Sequence, residues 1–84
     1  PHMGWNTIEP QKSSLFKGLG SLSRFYFIHS YYFDNDLSDN TIATTNYGCR
    51  FTSAVNVNNI YGVQFHPEKS HQNGLTLLKN FAEL

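Results

Sequence analysis

The segment that most constrains the fold is YGVQFHPEKS, residues 61–70. β-branched and aromatic residues recur from Ile60 to Phe65, which predicts a strand through that range. Pro67 fixes its own φ and favours extended backbone at His66, so the predicted strand ends at this pair. Two side chains capable of acid–base chemistry, His66 and Glu68, therefore lie at the end of a predicted strand.

The spacing of His66 and Glu68 suits a catalytic base and a carboxylate that orients it. In an extended segment, residues i and i+2 project to the same side. A carboxylate beside one imidazole nitrogen orients the ring, selects its tautomer and stabilises the imidazolium form. The second nitrogen then remains available to take a proton from a nucleophile. We therefore predict that His66 and Glu68 form the base-and-orienter half of a catalytic triad.

The nucleophile that this half-triad requires is not evident. The single cysteine, Cys49, lies in the run YGCRF and precedes a β-like segment. A nucleophile elbow instead places its residue between glycines on a sharp turn from strand to helix. We therefore interpret Cys49 as a small, half-buried strand residue. One unpaired cysteine is typical of a reducing compartment, so we expect a cytoplasmic protein.

The rest of the chain predicts strands with little helix. Residues 24–33, RFYFIHSYYF, form the clearest strand, and because both of its faces are apolar we expect burial on both sides. His29 within it is interpreted as a hydrogen-bonded core histidine. Further extended segments are predicted at residues 5–10, 41–45 and 50–57, a capped helical turn at 13–16, and polar turns at 34–40 and 58–59.

An amphipathic helix is predicted to close the chain. Ser70 or Asn73 is expected to cap it. A sheet with so many strands and so few covering helices leaves apolar faces bare, so we expect further chain or a tight partner to cover them. The predicted apolar stripe consists of Leu75, Leu78 and Phe81, flanked by Leu77 and Leu84.

Charge and motif patterns argue against several classes of function. The six basic and six acidic residues cancel and form no basic cluster, so we expect no nucleic-acid partner. No apolar stretch approaches the length of a membrane span, so we expect no membrane association. His66, Glu68 and His71 lie close in sequence without a His-Glu-x-x-His or Cys-x-x-Cys motif. We therefore expect neither a metal nor a cofactor.

Four stretches carry a resemblance to a known family. VQFHPEKS, residues 63–70, resembles the C-terminal signature of class I glutamine amidotransferases. That signature alone is shared across the superfamily. PHMGWN (1–6), FYFIHSY (25–31) and FTSAV (51–55) are similar to the HisH-type glutaminase subunits of imidazole glycerol phosphate synthases, as are the double leucine and aromatic of residues 74–81. The resemblance covers essentially the whole chain, in order.

The resemblance implies an α/β fold. Residues 1–84 would form the C-terminal part of a flavodoxin-like class I glutamine amidotransferase domain, a strand-rich fragment with a closing C-terminal helix. The N-terminal half of that domain, which carries the nucleophilic cysteine in a Gly-x-Cys-x-Gly elbow, would be a missing partner. The isolated fragment is accordingly expected to be inactive.

The resemblance also implies a substrate and a protein partner. The substrate would be glutamine, whose side-chain amide a cysteine thiolate attacks while His66, oriented by Glu68, acts as base and then acid. The ammonia would pass to a cyclase subunit with a (βα)8-barrel fold in histidine biosynthesis. Trp5, Tyr26 and Lys69 match positions that the family places at the interface with this cyclase.

Two alternatives remain open at this point. Paralogous amidotransferases supply ammonia in surface-sugar biosynthesis, and the matching residues would look alike there. In the second alternative, the chain is a non-catalytic fragment that only binds the cyclase partner.

Overall fold

The computed structural model describes residues 2–11, 13–29 and 39–84. Two antiparallel sheets form, one of β1 and β3 and the other in the order β2-β4-β5-β6. Short 3₁₀ turns cover Ser14–Phe16 and Pro67–Lys69, and we call the second of these the 67–69 turn. The strands are β1 His2–Thr7, β2 Glu9–Pro10, β3 Arg24–His29, β4 Thr41–Tyr47, β5 Cys49–Val57 and β6 Ile60–Val63, and the helix α1 is His71–Ala82.

The two sheets meet where β6 ends. Beyond Val63 the chain leaves β5 and forms an antiparallel bridge between Phe65 and Phe27 of β3. The backbone N–H of His66 then donates to the carbonyl of Tyr26 over 2.8 Å. The backbone at Phe65 and His66 is therefore fixed to β3, about forty positions earlier in the sequence.

Aromatic side chains from both sheets build the core beside this junction. The rings of Phe25 and Phe65 lie 4.4 Å apart, and Phe27 makes edge contacts with Phe65 and Phe51. Burial of one such phenylalanine stabilises the folded state by about 1.5–3 kcal/mol. The buried hydrophobic residues are Ile8, Leu15, Phe16, Phe25, Phe27, Ala43, Phe51, Ala54, Phe65 and Leu77.

The prediction that both faces of the Arg24–Phe33 strand are buried was wrong for the described part. Phe25 and Phe27 are fully buried, whereas Ile28 on the opposite face is 40% exposed and Tyr26 is half-buried. The described residues supply a packing layer on one face only. The remainder of this predicted strand, and the polar turn predicted at 34–40 as far as residue 38, lie outside the described residues.

The closing helix forms as predicted, but a different face of it is buried. Leu77, expected at the flank of the stripe, is 4% exposed and packs into the core. Leu75, Leu78 and Phe81, the expected stripe, are 62%, 45% and 50% exposed. Asn80 donates to the carbonyls of residues 15 and 17, which ties the end of α1 to the first 3₁₀ turn. No helix in the described ranges has the length and apolarity to span a membrane.

Candidate active site

His66 is presented at the surface by a rigid junction. The residue before it, Phe65, is 3% exposed, and His66 itself adopts extended backbone with φ −108° and ψ 97°. The chain then turns immediately into the 67–69 turn because Pro67 occupies its first position, where a missing N–H costs no hydrogen bond. The His66 side chain is 36% exposed, so the ring is open to a reacting group.

The predicted contact between His66 and Glu68 is present. Nδ1 of His66 lies 2.8 Å from Oε2 of Glu68. The route to it differs from the prediction, because Glu68 lies in a 3₁₀ turn and not in an extended segment. The contact therefore arises because a tight turn returns the carboxylate to the imidazole, and not because the two side chains project to the same side of a strand.

The surroundings of Glu68 favour its ionised form. The hydrogen bond from His66 is the largest of the causes that lower the pKa of Glu68 from its ordinary value of 4.5. A backbone hydrogen bond and the charges of His66 and Lys69 act in the same direction. Glu68 is therefore ionised at pH 7 and can only accept, so the proton of the bond resides on Nδ1. Among the described residues, Nε2 of His66 has no hydrogen-bond partner, and it is the nitrogen left for proton transfer.

A buried hydroxyl supports the backbone of this turn. Oγ of Ser70 donates to the carbonyl of His66 over 2.6 Å and accepts from the backbone N–H of Tyr26 over 2.9 Å. Ser70 is 1% exposed. Sequence reasoning assigned Ser70 only as a possible helix cap, and no local pattern signals its contact with a strand 44 positions away.

Two of the three predicted interface residues lie together on β1 and β3. Trp5 and Tyr26 are cross-strand partners with their rings 5.8 Å apart. The ring of His71 stacks on that of Trp5 at 5.3 Å and belongs to the same surface, although the sequence did not single it out for this role. Lys69 is exposed one residue after Glu68. Trp5, Tyr26 and His71 form a patch that we call the Trp5 surface.

Cys49 lies in a different setting from His66. It is exposed, so the prediction of a half-buried residue was wrong. It is the first residue of β5 and pairs with Tyr47 across a hairpin whose turn residue, Gly48, has φ +75°. This is a turn from strand to strand, and a nucleophile elbow is a turn from strand to helix.

A histidine pair lies outside this site. His2 is 4% exposed, with its ring stacked 3.9 Å from Tyr47 and 4.6 Å from Phe27. Its Nδ1 lies 2.9 Å from Nε2 of His29, which is hydrogen-bonded as predicted but half-buried, so its predicted place in the core was wrong. Burial, and then repulsion from His29, lower the pKa of His2. No local pattern around His2 predicts its burial.

His66, Glu68 and His71, which lie close in sequence, are not grouped as metal ligands. Within residues 2–11, 13–29 and 39–84 no three His, Cys, Asp or Glu side chains are grouped for metal binding. His71, the third ligand considered, directs its ring to Trp5.

Comparison with known proteins places the chain among amidotransferases. The family described as glutamine amidotransferase class-I matches residues 1–84. Imidazole glycerol phosphate synthase subunit HisH of Bdellovibrio bacteriovorus is 58% identical over 100% of this chain and 42% of its own length. The subunit HisH 2 of Pseudomonas aeruginosa is 51% identical, and the subunit HisH of Leptospira borgpetersenii 53%, with the same coverage. The chain thus spans less than half the length of these curated relatives.

Proposed function

This chain belongs to the class I glutamine amidotransferase family, and we propose that it supplies the catalytic base to the glutaminase subunit of an imidazole glycerol phosphate synthase. That subunit hydrolyses glutamine and supplies ammonia to a cyclase subunit in histidine biosynthesis, in the cytoplasm. The observation that carries the proposal is the 2.8 Å bond between His66 Nδ1 and Glu68 Oε2 beside an accessible imidazole. Because the chain spans 42% of its relatives, the activity belongs to the complete domain.

The first half of the proposed reaction forms a thioester. Nε2 of His66 takes the proton of a cysteine thiol supplied by the part of the domain outside this chain. The thiolate attacks the side-chain amide carbon of glutamine and gives a tetrahedral intermediate. The imidazolium then protonates the leaving nitrogen, and the C–N bond breaks to release ammonia and leave a glutamyl thioester.

The second half restores the enzyme. Nε2 of His66 takes a proton from water, which attacks the thioester carbonyl, and the imidazolium returns that proton to the departing sulfur as glutamate leaves. The ionised Glu68 stabilises the imidazolium in both halves and holds the ring with Nε2 outward. Positioned acid–base catalysis of this kind contributes about 10²–10⁴-fold to a rate.

The Trp5 surface and Lys69 are the proposed docking site for the cyclase, a (βα)8 barrel. Trp5 is 39% exposed although it packs on Tyr26 and His71, so it offers an ordered aromatic anchor. Aromatic anchors of this kind dominate many interfaces. Lys69 adjoins Glu68, and a partner that engages the lysine therefore contacts the turn that holds the triad residues.

Glutamate release from glutamine tests the proposal in the full-length subunit that contains this chain, with and without the cyclase barrel. We expect turnover that the cyclase stimulates, and we expect the 84 residues alone to be inactive. Stimulation by a sugar-modifying synthetase in place of the cyclase would favour the paralogue of surface-sugar biosynthesis. Cyclase binding without any turnover would favour the non-catalytic alternative.

A further inference from the structure

Ser70 occupies the position of a helix cap but does not cap. It immediately precedes α1, and a serine at that position ordinarily accepts from a backbone N–H in the first helical turn. The Ser70 hydroxyl makes no such bond. It turns away from the helix and joins the backbone of Tyr26 to that of His66. The stabilisation that capping would give to α1 is therefore replaced by a bond to the catalytic segment.

Two unusual backbone features accompany the inward direction of Ser70. The next residue, His71, has φ +50°, in the left-handed region that non-glycine residues rarely adopt. Gly74 then brings the first turn of α1 against the 67–69 turn, where a Cβ would overlap the carbonyl oxygen of Pro67. Both features are unfavourable for an isolated helix start. Both features lie within four residues of Ser70, where its hydroxyl joins β3 to the start of the 67–69 turn.

We propose that Ser70 is a positioning residue for His66, one that holds the His66 peptide against β3 so that the imidazole faces the attacking thiol. This role rests on the proposed function. The His66 peptide is held on both sides, since its N–H donates to Tyr26 and its carbonyl accepts from Ser70. Removal of the Ser70 hydroxyl leaves the carbonyl of His66 without this bond. The imidazole of His66 then loses its fixed direction, although it can still bond to Glu68. A displacement of about 1 Å costs a rate of about 10²-fold.

Steady-state glutaminase kinetics of the full-length subunit with its cyclase test the role. Ser70→Ala is expected to lower kcat about 10- to 100-fold and to change KM less than about twofold, because His66 acts in the chemical step. The matched control is Ser53→Ala, which also removes a buried hydroxyl, 0% exposed and bonded to Thr45. It is expected to lose stability with kcat unchanged. Equal kcat values for the two variants at equal stability would overturn the proposal.

If Ser70→Ala does not fold, kcat of the Ser70→Cys variant tests the same role. A thiol of similar shape is a much weaker hydrogen-bond partner. A folded Ser70→Cys subunit is therefore expected to show the same kind of kcat loss. A kcat equal to that of the unsubstituted subunit would overturn the proposal.

Nuclear magnetic resonance separates this role from the proposed function. In Ser70→Ala the amide of Tyr26 is expected to exchange about tenfold faster or more, and the resonance of the His66 Nδ1 proton to broaden, with neither change in Ser53→Ala. Should the unsubstituted subunit hydrolyse no glutamine, the proposed function fails while these two signals still decide the role of Ser70. Unchanged signals in Ser70→Ala would contradict it.

Discussion

The 67–69 turn and the β4–β5 hairpin each adjoin a reactive side chain, His66 just before the turn and Cys49 at the start of β5, in different structural settings. His66 has a buried residue before it, a backbone bond to β3 and a carboxylate on its ring. Cys49 is exposed beside a glycine turn of a two-stranded connection. His66 is therefore the stronger candidate for a catalytic group, because distant elements hold its backbone and a carboxylate holds its ring.

The largest effect separates the two regions by activity. His66→Ala in the full-length subunit is expected to lower kcat for glutamine hydrolysis about 10³-fold or more, because it removes the proposed acceptor of the thiol proton. Cys49→Ser is the control from the hairpin and is expected to leave kcat within about twofold. Loss of turnover in Cys49→Ser would indicate that the hairpin cysteine is the nucleophile, and would contradict the contrast drawn between His66 and Cys49.

The second effect concerns the packing of α1 on the 67–69 turn. Gly74→Ala places a methyl group on the carbonyl of Pro67, and we expect it to lower the free energy of unfolding by about 1–3 kcal/mol. Gly20→Ala is the matched control, since its Cβ would lie 3.9 Å from Ser23 without backbone strain, and it is expected to be near neutral. Urea denaturation of the full-length subunit measures both. Equal stability of the two variants would mean that α1 does not pack closely on the 67–69 turn.

A third effect concerns the charge of Glu68. Its folded pKa lies below 4.5, so the stability it contributes is present above that pH and is lost as the pH falls through the folded value. Carboxyl-carbon resonance titration is expected to find this lowered midpoint. His66→Ala removes the largest cause and is expected to raise the midpoint toward the ordinary value. A midpoint unmoved by His66→Ala would show that the bond to His66 is not what lowers it.

The smallest expected effect is on stability, from a substitution in the β4–β5 hairpin. Arg50, next to Cys49, donates to Glu9 over 3.1 Å and to Thr44 over 2.9 Å, with the Arg50 side chain 56% exposed. Arg50→Ala is expected to cost about 0–1 kcal/mol in urea unfolding, because an exposed ion pair gains little in water. The cost is expected to shrink at high salt. A loss above about 2 kcal/mol would mean that the hairpin is supported more strongly than its exposure indicates.

Local chemistry made much of this fold predictable. The β-branched and aromatic runs gave β3 and β6, and the leucines of 75–78 gave a helix near its observed bounds. The predicted contact of His66 with Glu68 is also present, whereas the predicted end of the strand at His66 was wrong, because β6 ends at Val63 and Phe65 bridges to Phe27 of β3 instead. The predictions that succeeded did so because strand propensity, helical period and the geometry of proline act within a few residues of each other.

The amino-acid pattern alone thus predicted most of the strands and the closing helix, the family, and the contact between His66 and Glu68. Only the tertiary structure decided that Leu77 enters the core in place of the expected stripe, that His2 lies between Phe27 and Tyr47, and that Ser70 binds Tyr26 instead of capping α1. Each of these depends on a partner far along the chain. Periodicity reports which faces are apolar, but which face is covered is set by the element that arrives from elsewhere.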